Sequence, residues 1–480
     1  MKRKFLINLL LLVFINLLVK PFWIFGIDRG VQNAVGSEAY GFYFSLFNFS
    51  LILNILLDLG ITNYNNRNIS RYEYLVTKHF SNVVVLKFLL GVVYFAVSLI
   101  AAIIIGYDKI QISLLVFLLF NQFLLSLILY MRSNISALQY YTLDSLISVL
   151  DRFLMIVIVG ILLWGHITST PFKIEWFVYS QTAAYLATAL ATFLILNSKI
   201  EKVKLNFDFK FFIVFLKKSY PYALLILLMT FYYRIDSVMI ERMLPDGKVQ
   251  AGIYAQSFRI LDAVSMMAFL FSTLLLPMFS RMIKYKDDVE GLLNMSFDLL
   301  MVPAIIFVIS SYFFSKEIID LLYTSHTEES VLVFSVLIFN FIFIAISYLY
   351  GTLLTANGSI KELNIMAGVG VVVNVVLNLL LIPVYKAWGA AFASLITQSI
   401  TALLQVFLVF KIFNFNFSLS RVAKFIGFVV IGIILGFIFS EKIINKEIGY
   451  ISLIFALLLF AFIFRLLSVK EFYKVLKIKS

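Results

Sequence analysis

Cysteine is absent from this 480-residue chain, and charged residues are scarce at 14%. The lack of cysteine excludes disulfides, thiolate catalysis and zinc–thiolate sites. The three histidines, His79, His166 and His326, are far apart and form no helical i, i+4 pair, so we expect neither a metal site nor a cofactor. Soluble domains carry about 25% charged residues. A surface this poor in charge is therefore not expected to face water.

Hydrophobic residues, by contrast, make up 62% of the chain and occur in long runs. A membrane span needs roughly 20 apolar residues to cross a hydrocarbon core about 30 Å thick. The sequence therefore predicts an all-α integral membrane protein with about fourteen transmembrane helices. The predicted spans are residues 5–26, 40–64, 82–106, 112–131, 144–165, 174–197, 219–241, 251–279, 293–314, 331–354, 362–384, 387–411, 421–440 and 448–468.

Two segments 211 residues apart match each other. Gly41-Phe-Tyr43 and Gly252-Ile-Tyr254 each open a hydrophobic stretch, and these stretches end at Arg71 and Arg281, 30 and 29 residues after their glycines. Transporters built from repeated halves bind their substrate between the halves. The match therefore predicts a duplicated helical unit with a central cavity.

The matching segments and the lysine-rich linker at 197–218 together predict the domain organisation. Residues 1–205 are expected to form a first six-helix lobe, and residues 206–414 a second one. Residues 415–480 are expected to add a transmembrane hairpin and a cytoplasmic tail. No loop is long enough to hold a folded soluble domain.

The net charge of +13 is distributed unevenly along the chain. With the N-terminus inside, the predicted inner segments hold 25 lysines and arginines, whereas the outer loops hold 9. Such an excess marks the cytoplasmic side of a membrane protein. Both termini are therefore predicted to be cytoplasmic. The basic surplus indicates orientation and contact with anionic lipid, not nucleic-acid binding.

Several charged residues fall inside the predicted spans, where an unpartnered charge is costly. Arg234 and Arg259 each lie about eight residues, or ~12 Å of helix, from the outer ends of adjacent spans, and Lys20 has a comparable position in the first span. With Asp236 and Asp262 they form a predicted substrate-binding cavity. Either these groups only pair with each other, or the surplus of cations binds an anion such as pyrophosphate, which arginine grips in a bidentate manner.

A second charged set is predicted at the inner ends of the second and eighth spans. Asp58, Arg67 and Arg71 lie in one lobe and Arg281 in the other, so Asp58 and Arg281 could form a cytoplasmic gate. The alternative is that these arginines only mark the cytoplasmic side.

Further charges in the first lobe allow two interpretations. Asp144 and Asp151 share one face of the fifth span beside Arg152. They either couple transport to an ion or form a structural pair with the arginine, and the pair is the favoured interpretation. Lys87 is predicted to reach from the third span to the membrane interface.

These features resemble Wzx-type polysaccharide flippases of the multidrug/oligosaccharidyl-lipid/polysaccharide exporter superfamily. The resemblance rests on the fourteen spans in two lobes, the two Gly-x-Tyr openings, Asp58-Leu-Gly60 and Arg234-Ile-Asp236. It implies two lobes forming a V that opens alternately to each side of a bacterial cytoplasmic membrane. The implied substrate is an undecaprenyl-pyrophosphate-linked oligosaccharide for O-antigen (lipopolysaccharide), capsule or exopolysaccharide. The polysaccharide polymerase machinery is a further implied partner.

Three alternatives belong to other functional classes. A lipid II flippase shares the fourteen spans and a basic cavity. A multidrug exporter of the same superfamily takes organic cations and should present acids and aromatics. A membrane-bound polymerase or glycosyltransferase should carry a large loop or a catalytic domain, and the sequence has neither. The chain also lacks a P-loop motif, so ATP is not expected to drive it directly. The sequence thus predicts a transporter and no enzyme.

Overall fold

A computed structural model describes residues 21–62, 75–165, 169–198, 209–415 and 418–467, together with residues 19 and 167. Within these ranges 89% of the residues are helical and none forms a strand. The predicted all-α class is therefore confirmed. The chain divides into two compact units, Met1–Gly252 and Ile253–Ser480. The lobe boundaries predicted from the sequence stay a prediction.

The first unit begins, in its described part, with a π-helical turn at Trp23–Asp28. Its helices are α1 (Arg29–Ile52), α2 (Leu75–Ile105), α3 (Lys109–Ala137), α4 (Tyr141–Trp164), α5 (Ile174–Asn197), α6 (Phe209–Met243) and the beginning of α7 (Gly247–Tyr285). A core cluster that includes Phe80, Tyr130 and Leu196 joins α2, α3 and α5.

The second unit contains the remainder of α7 and the helices that follow it. These are α8 (Val289–Phe313), α9 (Ser315–Leu322), α10 (Thr327–Leu337), α11 (Asn340–Asn357), α12 (Ile360–Phe413), α13 (Leu419–Lys442) and α14 (Lys446–Ile463). The helix α12 holds two of the predicted spans, because its backbone bends at Lys386, where φ is 52°.

In the described part of the chain, 11 helices are long and apolar enough to cross a membrane. That number counts α12 once, although it covers two predicted spans, and it takes α10 and α11 together. It omits α1, which covers only residues 40–52 of the predicted span 40–64. The predicted spans from the third onward all coincide with these helices. The first, 5–26, lies mainly outside the described residues.

The region between the first two predicted spans differs from the expected loop. Helix α1 continues through it with a single break at Gly36, whose φ of 78° and ψ of 171° suit glycine. One residue therefore makes the turn, whereas the predicted spans left thirteen residues, 27–39, for a loop. At its other end α1 stops at Ile52, and a 3₁₀ turn, Asn54–Leu57, follows. The second span is thus unwound before its predicted end.

The helix pair α13–α14 packs on α8 in the second unit. Arg421 on α13 donates to Asp298 Oδ1 at 2.6 Å and also to the Asn294 carbonyl oxygen. Further along the pair, Gly436 leaves room for the ring of Phe313, which a Cβ at that position would strike. A charged contact at one end and close packing further along hold the hairpin in place.

Candidate functional site

The two matching glycines contact each other in the first unit. A Cβ built on Gly41 would collide with the Lys248 carbonyl oxygen and the Gly252 nitrogen, and one built on Gly252 would collide with the Ser37 carbonyl oxygen. All three of these obstacles are backbone atoms, so no side-chain rotation could relieve the overlap. Only glycine permits α1 and the first turn of α7 to approach this closely. We call this the glycine contact.

Polar groups accompany the glycine contact. The Gln32 side-chain amide, which is buried, donates to the Gly252 carbonyl oxygen at 3.0 Å. The Lys248 ammonium lies 5.1 Å from the centre of the Phe42 ring, a cation–π distance. The approach is therefore specific, because it combines steric fit with a directed hydrogen bond.

A second contact holds α6 at the same end of the first unit. The Gln111 amide donates to Glu241 Oε1 at 2.8 Å, and Glu241 is largely buried. Arg242 donates to the Gly106 carbonyl oxygen at 3.1 Å and lies 5.3 Å from the Tyr107 ring centre. The α6–α7 turn is thus tied to the α2–α3 turn. We refer to this end of the unit as the Gly36 end.

Arg234, a predicted substrate ligand, lies further along α6 from the Gly36 end. It donates to Asn48 Oδ1 at 3.2 Å, and the Asn48 amide donates to Ser237 Oγ at 2.9 Å. The guanidinium also lies 4.9 Å from the Tyr233 ring centre. Arg234 is partly exposed, whereas Asp236 is buried at 1% exposure. The arginine is therefore held in one orientation while its surface stays partly open.

The other predicted cavity residues are distributed as follows. Arg259 and Asp262 lie one turn apart on α7 in the second unit, and both are partly exposed. Lys20 lies outside the described residues. A site made by these residues together with Arg234 and Asp236 stays a prediction.

The sequence interpretation missed Asp28, which lies in the π-helical turn. Asp28 is 2% exposed and accepts a hydrogen bond from the Tyr40 hydroxyl at 2.6 Å. Single π turns often occur at functional sites. Asp28 follows the predicted first span by two residues, so it was counted with the loop and its burial was not foreseen.

The interpretation of Lys87 as an interfacial residue is wrong. Its side chain is 1% exposed, and the ammonium binds Asp58 Oδ1 at 2.5 Å. The physical reason is that the unwound end of α1 offers oxygen atoms inside the unit, which satisfy the ammonium without contact with water. The gate predicted between Asp58 and Arg281 stays a prediction, and Arg67 and Arg71 lie outside the described residues.

The two candidate ion-coupling carboxylates both have arginine neighbours. Arg132 Nε lies 2.8 Å from Asp144 Oδ1, a partner that the sequence did not suggest. Arg152 Nε lies 3.8 Å from Asp151 Oδ2, and its guanidinium is 5.3 Å from the Trp23 ring centre. The neighbour expected from the sequence, Arg152, thus lies beside Asp151, whereas Asp144 pairs with Arg132 instead. Their involvement in ion coupling stays a prediction.

Comparison with known proteins identifies relatives of the chain. The model of the family described as polysaccharide biosynthesis protein matches residues 30–283. An uncharacterized membrane protein of Methanocaldococcus jannaschii is 28% identical over 197 residues. That match covers 41% of this chain and 46% of the relative, so the chain spans about half the length of the relative that it matches.

Solved structures share the fold at low sequence identity. The lipid II flippase MurJ in an inward closed conformation superimposes with a TM-score of 0.69 at 17% identity, over 96% of this chain and 98% of MurJ. An inward-facing multidrug resistance MATE transporter of the MOP superfamily gives a TM-score of 0.60 at 15% identity, over 80% of this chain and 93% of that one. The chain therefore has the fold of the MOP-superfamily transporters.

Proposed function

Because the chain belongs to the polysaccharide biosynthesis protein family, we propose that it moves a lipid-pyrophosphate-linked oligosaccharide across a membrane. The product would supply O-antigen, capsule or exopolysaccharide assembly in a bacterial cytoplasmic membrane. The lipid carrier would be undecaprenyl pyrophosphate, and the polymerase machinery would receive the flipped product. The chain binds and moves this substrate and makes or breaks no bond in it.

The observation that carries this proposal is the environment of Arg234. Its guanidinium is fixed by Asn48 and Tyr233 on a membrane-spanning helix, yet it remains partly exposed. A cation held in this way suits a diphosphate, because arginine donates two parallel hydrogen bonds to phosphate oxygens. We propose that Arg234, Arg259 and Lys20 bind the diphosphate and that Asp236 and Asp262 orient the arginines.

The glycine contact supports a transport cycle with alternating access. With both termini in the cytoplasm, as we propose, the Gly36 end faces the outside. Glycine-only packing and the Gln111–Glu241 hydrogen bond keep that end shut. Releasing the substrate outward requires these contacts to part. We therefore propose that these contacts close the outer end of the first unit during part of the cycle.

Two alternatives within the superfamily have different substrates. A lipid II flippase also carries a diphosphate, and the fold resemblance to MurJ keeps this alternative open. A multidrug exporter carries organic cations, for which an arginine held in the membrane is unfavourable. The partly exposed Arg234 therefore favours an anionic headgroup over a cationic drug.

A reconstituted transport assay tests the proposal. The full chain is placed in vesicles with a fluorescent undecaprenyl-pyrophosphate oligosaccharide, and dithionite quenching reports the rate at which the label crosses the bilayer. We expect accelerated crossing for the oligosaccharide-linked lipid and a slower rate for lipid II. Equal or faster movement of lipid II would assign the chain to the alternative. Export of a fluorescent organic cation without lipid crossing would contradict the proposal.

Cysteine labelling tests the proposed orientation, and the natural chain has no cysteine to interfere. We expect Glu328→Cys, at an exposed position, to react with an impermeant maleimide in intact cells. Lys202→Cys should react only after the cells are permeabilised, because the linker carries the positive-inside excess. Labelling of Lys202→Cys in intact cells would overturn the orientation.

A further inference from the structure

The unwound end of α1 offers a group of oxygen atoms inside the first unit. After the 3₁₀ turn Asn54–Leu57, the backbone leaves helical geometry, with a φ of 44° at Leu59 and 83° at Gly60. Carbonyl groups at such a break do not accept the backbone hydrogen bonds of a regular helix. The Leu57 carbonyl oxygen instead accepts from two side chains, Lys87 Nζ at 3.0 Å and Ser126 Oγ at 3.2 Å.

The Lys87 ammonium lies at the centre of this group. Its three donors match three oxygens of different chemical types: the Leu57 carbonyl at 3.0 Å, Asp58 Oδ1 at 2.5 Å and Ser126 Oγ at 2.9 Å. Thr62 Oγ1 adds a fourth oxygen nearby by donating to the same Asp58 Oδ1. An ammonium has three donors and no acceptor, so these oxygens satisfy it completely.

The same oxygens are ligands of the kind that a small hard cation prefers. Carboxylate, carbonyl and hydroxyl oxygens bind hard metal ions, and membrane transporters bind Na⁺ with carbonyls from unwound helices. Asp58 supplies one negative charge, which balances one monovalent cation. Its side chain is 29% exposed while that of Lys87 is 1% exposed, so the group is accessible on the carboxylate side.

We propose that the unwound end of α1 is a monovalent-cation site and that the Lys87 ammonium is its tethered occupant. Lys87 reaches the site from α2, and Ser126 reaches it from α3. The tethered cation joins three membrane helices, and the joint does not depend on the ions in the medium. A free Na⁺ should therefore bind only when the lysine nitrogen is removed.

The substitution Lys87→Met exposes the site with minimal disturbance. Methionine reproduces the lysine chain up to the position of Cε and leaves a gap where the nitrogen lies. The remaining carboxylate is then left without its cation at a partly buried position, which is unfavourable. The double variant Lys87→Met/Asp58→Asn is the matched control, because it has the same gap without the negative charge.

The experiment measures thermal unfolding of the full chain in detergent, with NaCl, KCl or N-methylglucamine chloride at constant ionic strength. For Lys87→Met we expect Na⁺ or K⁺ to raise the unfolding midpoint in a saturable manner, on the order of 3 °C or more. The wild type and the double variant should show no such rise. Radioactive ²²Na⁺ should bind Lys87→Met and be retained by neither of the others.

Three results would overturn the proposal. The first is a Lys87→Met midpoint that is the same in all three salts. The second is a midpoint that rises only on acidification, because Asp58 would then be neutralised by a proton. The third is a failure of Lys87→Met to accumulate in Na⁺ or K⁺ while the double variant accumulates, because a free cation would then not replace the ammonium. None of these measurements depends on transport, so their results do not depend on whether the proposed substrate is correct.

Discussion

Cells that carry Arg234→Ala together with Arg259→Ala are expected to display no surface glycan, although the protein still inserts and accumulates. A hydrogen bond to a charged group is worth about 1.5–3 kcal/mol, and each 1.4 kcal/mol corresponds to about tenfold in binding. Losing the two proposed diphosphate ligands should therefore lower transport by at least about a hundredfold. Surface glycan is measured by antibody binding, and protein amount by membrane immunoblot.

Matched variants separate a ligand role from a general loss of positive charge. Lys424→Ala removes an exposed cation from α13 and should export normally. Arg234→Lys keeps the charge but cannot form the bidentate contact, so we expect an intermediate loss. Export at the wild-type level by the double alanine variant would show that the arginines only pair with other protein groups.

The helices of this protein could be predicted from sequence because membrane crossing imposes a length and a composition on each span. Every predicted span from the third onward coincides with described helices, whereas α1 covers only the first half of the second. The turns were harder to predict. A single glycine, Gly36, replaces a loop, because its backbone adopts a φ of 78° that the sequence pattern does not reveal.

The sequence shows which charges fall within spans, but it does not show their partners. Arg234 was recognised as a residue within a span, whereas its hydrogen-bond acceptor Asn48 lies 186 residues earlier and has no local signal. Lys87 was misjudged for a related reason. Whether a lysine reaches the interface or an internal oxygen depends on the unwinding of α1, and hydrophobic periodicity does not indicate where that helix breaks.

The glycine contact shows what a repeated motif can and cannot reveal. The Gly-x-Tyr match located Gly41 and Gly252 and suggested a duplicated unit. It did not indicate that the two glycines touch. Contact requires that α1 and the beginning of α7 approach each other at these positions, and the motif itself does not encode that approach. The atoms that exclude a side chain at the two glycines, the Lys248 and Ser37 carbonyl oxygens, belong to the tertiary structure and leave no mark in the motif.

Gly41→Ala is therefore expected to open the Gly36 end of the first unit. The added methyl group would overlap backbone atoms of Lys248 and Gly252, so α1 and α7 must separate. Overpacking of this kind costs about 1–3 kcal/mol, and the cost falls on the closed arrangement alone. The closed population should decrease by roughly tenfold or more relative to the open one.

A cysteine placed under the contact reports this opening. Ser45 lies one helical turn beyond Gly41 on the same face of α1 and is fully buried. In the Ser45→Cys background we expect Gly41→Ala to raise the rate of reaction with an impermeant maleimide by about tenfold, in line with the shifted population. Gly252→Ala should act in the same way, because its methyl group would strike the Ser37 carbonyl oxygen.

Gly368→Ala provides the control for a general effect of alanine. Gly368 lies inside α12, and a Cβ built there meets no atom within 4 Å, so helix propensity predicts a neutral or slightly stabilising change. Its cysteine reactivity should equal that of Ser45→Cys alone. Transport should fall in the Gly41 and Gly252 variants, because a protein that cannot close this end cannot return for a second substrate. Unchanged maleimide rates in both would mean that the glycine contact is no closure point and that the two helices separate elsewhere.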